Sequence, residues 1–159
     1  MMKSVSNLAA SIGIVVILFA CAVSAVPQAK VATRKEVKVY FYRDPGEYID
    51  LAPVTRSVSA VAPARPAIEA LLKGPTAAEQ RKGFGPLTSA IDFRIGSLKI
   101  VDGTARINFV STRHWHGWGG DLAPVRFKTA VELTLKQFPS VQRVIVSLNG
   151  DEKFADERG

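Results

Sequence analysis

Arg113, His114, Trp115, His116 and Trp118 fall within six consecutive positions of a chain that has only two histidines and two tryptophans. In an extended segment, residues two apart point to the same side, so the His114 and His116 imidazoles are able to meet one metal ion. Protein zinc sites need three or four ligands, and the nearest further candidate is Asp121. Two histidines alone are expected to be solvent-facing loop residues, so no metal and no other cofactor is expected. Trp115 and Trp118 have two uses open to them. They can plug the seam between this loop and a following helix, or present an aromatic platform to a sugar, a peptide or a neighbouring subunit. Arg113 beside them suits a carboxylate or another anion. Gly117-Trp118-Gly119-Gly120 leads into a helix, where free N–H groups can hold an anion. The stretch lacks the lysine of a phosphate-binding loop and does not directly follow a strand. The glycines are expected to shape the turn.

Known catalytic spacings are missing: the chain has no G-x-S-x-G, no S-x-x-K and no H-E-x-x-H. Nothing singles out a carboxylate pair for glycoside hydrolysis, because Glu69 and Glu132 lie on ordinary helix faces. Cys21 is the only cysteine, so the chain beyond it has no disulfide, no thiol nucleophile and no thiolate metal site. A non-enzyme is expected. Arg56 is read either as a solvated side chain or as the partner of a carboxylate at an interface. Arg65 and Glu69, four apart on a helix, are read as a routine surface pair.

These residues are carried by a chain whose first part is of a different kind. From Ser4 to Ala29 no residue is charged, and Leu8 to Ala20 (LAASIGIVVILFA) is almost unbroken apolar sequence behind Lys3. Such a stretch enters a membrane during synthesis, which places the remainder outside the cytoplasm. Three endings stay open. Val23-Ser24-Ala25 permits cleavage after Ala25; Leu18-Phe19-Ala20-Cys21 resembles a lipobox that would make Cys21 a lipidated N-terminus; Leu8 to Val26 is long enough to remain as a span. Lys+Arg number 21 against 14 Asp+Glu, but the basic residues are scattered, so no nucleic-acid partner is expected.

Residues 1–25 are thus a signal peptide or anchor, 26–36 a polar linker, 37–155 one domain and 156–159 a tail. Val37 to Tyr42 alternates, with Val37, Val39 and Phe41 on one face, and Asp44-Pro45-Gly46 makes a turn. A second strand covers Leu51 to Val58, where Pro53 implies an edge or strand-start position. A helix over Ala64 to Lys73 stops at Gly74-Pro75. Thr76 to Arg94 reads as irregular. Ser97 to Val101 and Thr104 to Phe109 flank Asp102-Gly103, a two-residue hairpin signal. A second helix starts with Asp121 as N-cap, carries the stripe Phe127, Val131, Leu135 and Phe138, and ends at Pro139. Arg143 to Leu148 is the last strand, and the charged stretch Asp151 to Gly159 is expected to fray. The order β-β-α-β-β-α-β predicts an α+β fold, a small two-layer domain with both helices on one face of a mixed sheet.

Leu51-Ala52-Pro53-Val54-Thr55-Arg56, Ala70-Leu71-Leu72-Lys73-Gly74-Pro75-Thr76 and Thr134-Leu135-Lys136-Gln137-Phe138-Pro139-Ser140-Val141 occur in that order. Together they resemble the GerMN domain family of sporulation, spore-germination and envelope lipoproteins. The likeness spans about residues 37 to 155. It implies a non-enzymatic envelope domain whose core is similar to the ring-building motif of secretion rings, an α-β-β-α-β order met here from Ala64 to Leu148. It further implies a protein partner or self-association, while the membrane attachment is read from the N-terminal segment itself. The sequence departs from the family in three places: Asn149 stands where an acidic residue is usual, Asp92-Phe93-Arg94-Ile95 lacks a proline, and the His114 to Trp118 loop is unusual. The alternative function is a wall saccharide or peptide binding module that works through the Trp115/Trp118 loop.

Overall fold

A computed structural model describes residues 33–43, 50–88, 92–114 and 116–156. Lys3, Cys21, the cleavage position after Ala25, the turn Asp44-Pro45-Gly46 and Trp115 lie outside the described residues. Among the described residues no helix is long and apolar enough to cross a membrane. Val31–Gly159 is one compact unit. Its buried residues run from Val37 to Ala155 in a single cluster, so this unit carries its own core.

The alternation of the first strand works as read. β1 (Arg34–Arg43) pairs antiparallel with β2 (Leu51–Ser59), from Arg34 opposite Ser59 to Tyr42 opposite Leu51. Period-two geometry sends Val37, Val39 and Phe41 into the core and leaves Lys38 outside. β2 is an edge strand, which is where Pro53 does least harm. Helix α1 (Ala64–Leu72) buries Ala64, Ala67, Ile68 and Leu71 along one stripe, and Gly74 at φ +76 ends it in the left-handed region.

The stretch expected to be irregular holds two short elements. Helix α2 (Ala77–Gln80) is opened by a capping box: Glu79 N–H donates to Thr76 Oγ1 at 3.3 Å, and Thr76 N–H donates to Glu79 Oε2 at 2.7 Å. β3 (Phe84–Gly85) then pairs with Tyr42 and Arg43 of β1. β4 (Phe93–Val101) starts ahead of the expected Ser97, because a register shift between Ile95 and Ser97 breaks the alternation there. Asp102 and Gly103, at φ +48 and +72, make the two-residue turn into β5 (Thr104–Ser111). Helix α3 (Leu122–Lys136) crosses over to β6 (Arg143–Leu148), which lies parallel to β5.

The fold is α+β, with the seven expected elements in the expected order. The strands divide between two three-stranded sheets, β2-β1-β3 and β4-β5-β6. Beside Lys38, on β1, Gln137 at the C-terminus of α3 takes the place a neighbouring strand would hold. Gln137 Oε1 accepts from Lys38 N–H at 2.8 Å, and its Nε2 donates to Lys38 C=O at 2.7 Å. Replacing Gln137 with alanine leaves both backbone groups of Lys38 without that partner. The expected loss is about 1–2 kcal/mol, read from urea unfolding, with the fold retained.

Two expectations are corrected. Asp121 stands at the N-cap position of α3 but makes no side-chain cap bond. Its own backbone is already helical (φ −63, ψ −32), and a capping carboxylate needs an extended one to reach forward. The stretch after Leu148 does not fray through its described part. Leu148 and Asp151 exchange backbone hydrogen bonds at 3.0 Å, and Phe154 and Ala155 are buried.

Candidate functional site

The loop between β5 and α3 divides its side chains. Arg113, His114 and His116 are exposed, with Arg113 Nε donating to His114 Nε2 at 3.4 Å. Among the described residues no three His, Cys, Asp or Glu side chains converge to hold a metal ion. Trp118 turns the other way. Its ring centre lies 5.3 Å from Phe93 of β4, 5.7 Å from Phe127 of α3 and 6.0 Å from Phe154, against which it stacks at 18°. Phe127 meets Phe109 edge-on at 4.9 Å, so Trp118 is the half-buried lid of an aromatic cluster that runs into the core. Trp118 therefore has the geometry of a plug. Its outer edge still reaches solvent.

That edge forms one wall of an open cleft of about 840 Å³, bounded by the loop, the first turn of α3 and the residues after β6. Trp118, Leu148 and Phe154 give it an apolar side, and Asp121, Asp151 and Asp156 give it an acidic rim. Asp156 is 3.6 Å from Lys128 Nζ, and Asp151 Oδ1 accepts from Lys153 N–H at 2.8 Å. Asn149 closes the cleft from below. It sits at φ +52, a region asparagine enters more readily than most residues. Its Oδ1 accepts from Ser111 N–H at 3.1 Å while its Nδ2 donates to Ser111 Oγ at 2.9 Å. The asparagine thus ties β5 to the end of β6 through both polar atoms of its side-chain amide.

Arg56 lies elsewhere, on β2, and the structure gives it a partner that its sequence neighbours do not reveal. Its Nη1 and Nη2 donate to Glu79 Oε1 and Oε2, each at 2.6 Å, a bidentate pair 19% and 17% exposed. The guanidinium also lies 5.7 Å from the centre of the Phe41 ring. Glu79 closes the capping box of α2 as well, and these contacts hold its carboxyl down from 4.5 to about 2, the Arg56 hydrogen bonds being the largest cause. The signal for this joint was present as Thr76-x-x-Glu79, the capping-box spacing. Arg65 and Glu69 form the expected exposed i,i+4 pair at 3.9 Å.

The site is thus an open cleft beside Trp118, with the Arg56–Glu79 joint apart from it. A family model described as Germane: Sporulation and spore germination matches residues 38–154. The tandem GerMN domains of the sporulation protein GerM from Bacillus subtilis are similar over 77% of this chain and 42% of that one, at 24% identity and a TM-score of 0.56. The chain thus spans under half the length of that tandem relative. The first GerMN domain of the same protein, taken alone, is similar over 74% of this chain and 84% of that chain, at 21% identity and a TM-score of 0.52. No curated protein matches. With its match extending from the first strand to the buried Phe154, this chain belongs to the Germane family of sporulation and spore germination domains.

Proposed function

We propose that this protein is a non-catalytic, extracytoplasmic interaction domain, attached to the membrane by its N-terminal segment and working in envelope assembly of the sporulation or germination type. The observation that carries the reading is the pairing of two stretches. A charge-free run from Ser4 to Ala29 precedes a domain matched over 38–154 by a sporulation and germination family. The side chains best suited to chemistry support it by their engagements. Arg56 is locked to Glu79, and Trp118 is stacked on Phe154. The partner is a second copy of the domain or another envelope protein.

A second reading has a specific observation behind it. The cleft beside Trp118 joins an aromatic wall to carboxylates, which is the chemistry that holds a saccharide or a short peptide. Light scattering on residues 31–159 at rising concentration separates the two. The assembly reading expects a mass that grows with concentration and no response to disaccharide-tetrapeptide wall fragments. A constant monomer mass with a saturable change in tryptophan emission on adding those fragments overturns it in favour of the second.

A further inference from the structure

The end of the domain opposite the tryptophan loop exposes apolar side chains that the core does not use. Val61 is 79% exposed, Val101 61% and Ile100 36%. Val61 and Ile100 border an apolar groove of about 600 Å³, with Leu98, Pro66 and Phe138 beneath them. Val61 is held out by a specific backbone. Its N–H donates to Ser59 Oγ at 3.3 Å, and Ala62 follows at φ +49, a left-handed conformation that disfavours any residue with a Cβ.

Charge collects at the same end. The start of β1, the Ser59–Pro66 turn, the β4–β5 hairpin and the α3–β6 connection carry Arg34, Lys35, Arg65, Lys99 and Arg143 against Glu36 and Asp102, with Glu69 beside Arg65. They are held together: Arg34 pairs with Ser59, Lys35 Nζ lies 5.7 Å from the Phe138 ring centre, and Gly103 C=O accepts from Gln142 and Arg143 N–H. The chain also enters here, since Thr33 C=O accepts from Ala60 N–H at 2.8 Å. The stretch that links the apolar run Leu8 to Ala20 to the domain therefore joins it at this end.

We infer that this end is a membrane-docking face: Val61 and Ile100 enter the headgroup region of an anionic bilayer while the basic residues contact its phosphates. Exposed apolar residues ringed by lysine and arginine have this affinity, and charge complementarity selects an anionic lipid surface over a neutral one. The inference deepens the tethered reading above and rests on it for the presence of a membrane nearby.

Sedimentation of residues 31–159 with phosphatidylglycerol or phosphatidylcholine vesicles tests it. Binding is expected only to phosphatidylglycerol and is expected to weaken with salt. Val61→Asp weakens it at least tenfold, and Arg34→Ser with Lys35→Ser weakens it roughly 25-fold, about fivefold per basic residue. Arg113→Ser, at the far end, changes it less than twofold. Circular dichroism checks that each variant is folded. A second measurement uses the full chain in phosphatidylglycerol nanodiscs, with a polarity-sensitive dye on Val61→Cys in a Cys21→Ser background, where a blue-shifted emission is expected. Absence of vesicle binding, or binding that survives both patch variants, overturns the inference. So does a concentration-dependent dimer dissolved by Val61→Asp without vesicle binding, which makes a second copy the occupant. If vesicles are not bound while the full chain still fractionates with membranes, the docking face fails and the tether stands. If vesicles are bound while the full chain is recovered as soluble protein, the tether fails instead.

Discussion

Replacing Trp118 with alanine lowers the unfolding free energy by about 3 kcal/mol, an effect expected of a core residue although Trp118 sits in a loop. The ring closes a cluster made by Phe93, Phe127 and Phe154, three residues from three separated parts of the chain. Removing it leaves a gap that the β4, α3 and C-terminal segments cannot all collapse to fill, and it opens Phe127, which is fully buried, to water. For a domain of this size the loss lowers Tm by about 10 °C. Trp118→Phe keeps the stacking on Phe154 and retains most of the stability. Arg113→Ala and His114→Ala, both exposed, each change it by less than about 0.5 kcal/mol. An unchanged Tm in Trp118→Ala would make the side chain a surface platform rather than a plug.

The second large effect belongs to the Arg56–Glu79 pair, and it depends on pH. Glu79 has its carboxyl lowered from 4.5 to about 2 in the folded protein. A depressed carboxylate stabilises the fold fully above the unfolded value. The contribution is lost as the pH falls from about 4.5 through about 2. At about 1.4 kcal/mol per pH unit the ceiling is roughly 3 kcal/mol; water reaches both partners, so about 2 kcal/mol is expected. Glu79→Gln should therefore unfold more easily than the parent at pH 7, and the two should converge near pH 2. Arg56→Ala costs at least as much at pH 7, because it also removes the guanidinium from the Phe41 ring and leaves the carboxylate on α2 without its main partner. Urea midpoints at pH 7, 5, 3 and 2 measure the convergence. A gap that stays constant down to pH 2 contradicts the ion pair as the source.

What could be read from the sequence was whatever is local. Val37, Val39 and Phe41 alternate within one strand, Asp102-Gly103 makes its turn from two residues, and Ile68 with Leu71 marks a helix face; each signal needs only near neighbours. The structures that escaped are those whose cause lies far along the chain. Helix α2 has four residues and β3 two, too short for any period to show. The bulge after Ile95 breaks the alternation that would have announced β4 from Phe93. Arg56 and Glu79 are 23 residues apart, and Phe154 lies among charges that suggest a tail. The candidate loop was legible in composition but not in direction: the same glycine-rich stretch sends His116 outward and Trp118 inward.

The three recurring phrases now have physical work assigned to them. Arg56 ends the first and meets Glu79, Thr76 ends the second and caps the helix that carries Glu79, and Gln137 in the third occupies the edge of β1. They mark the places where separate elements are fastened together. Such positions serve the fold and do not by themselves specify what the domain touches.

Phe154 is, in chain order, the last of the large rings buried in this core. It supplies the stacked face of Trp118, which Phe93 and Phe127 meet only at a tilt. Cutting the chain before Phe154 is therefore expected to bare the Trp118 ring and to loosen the end of the domain that the aromatic cluster closes.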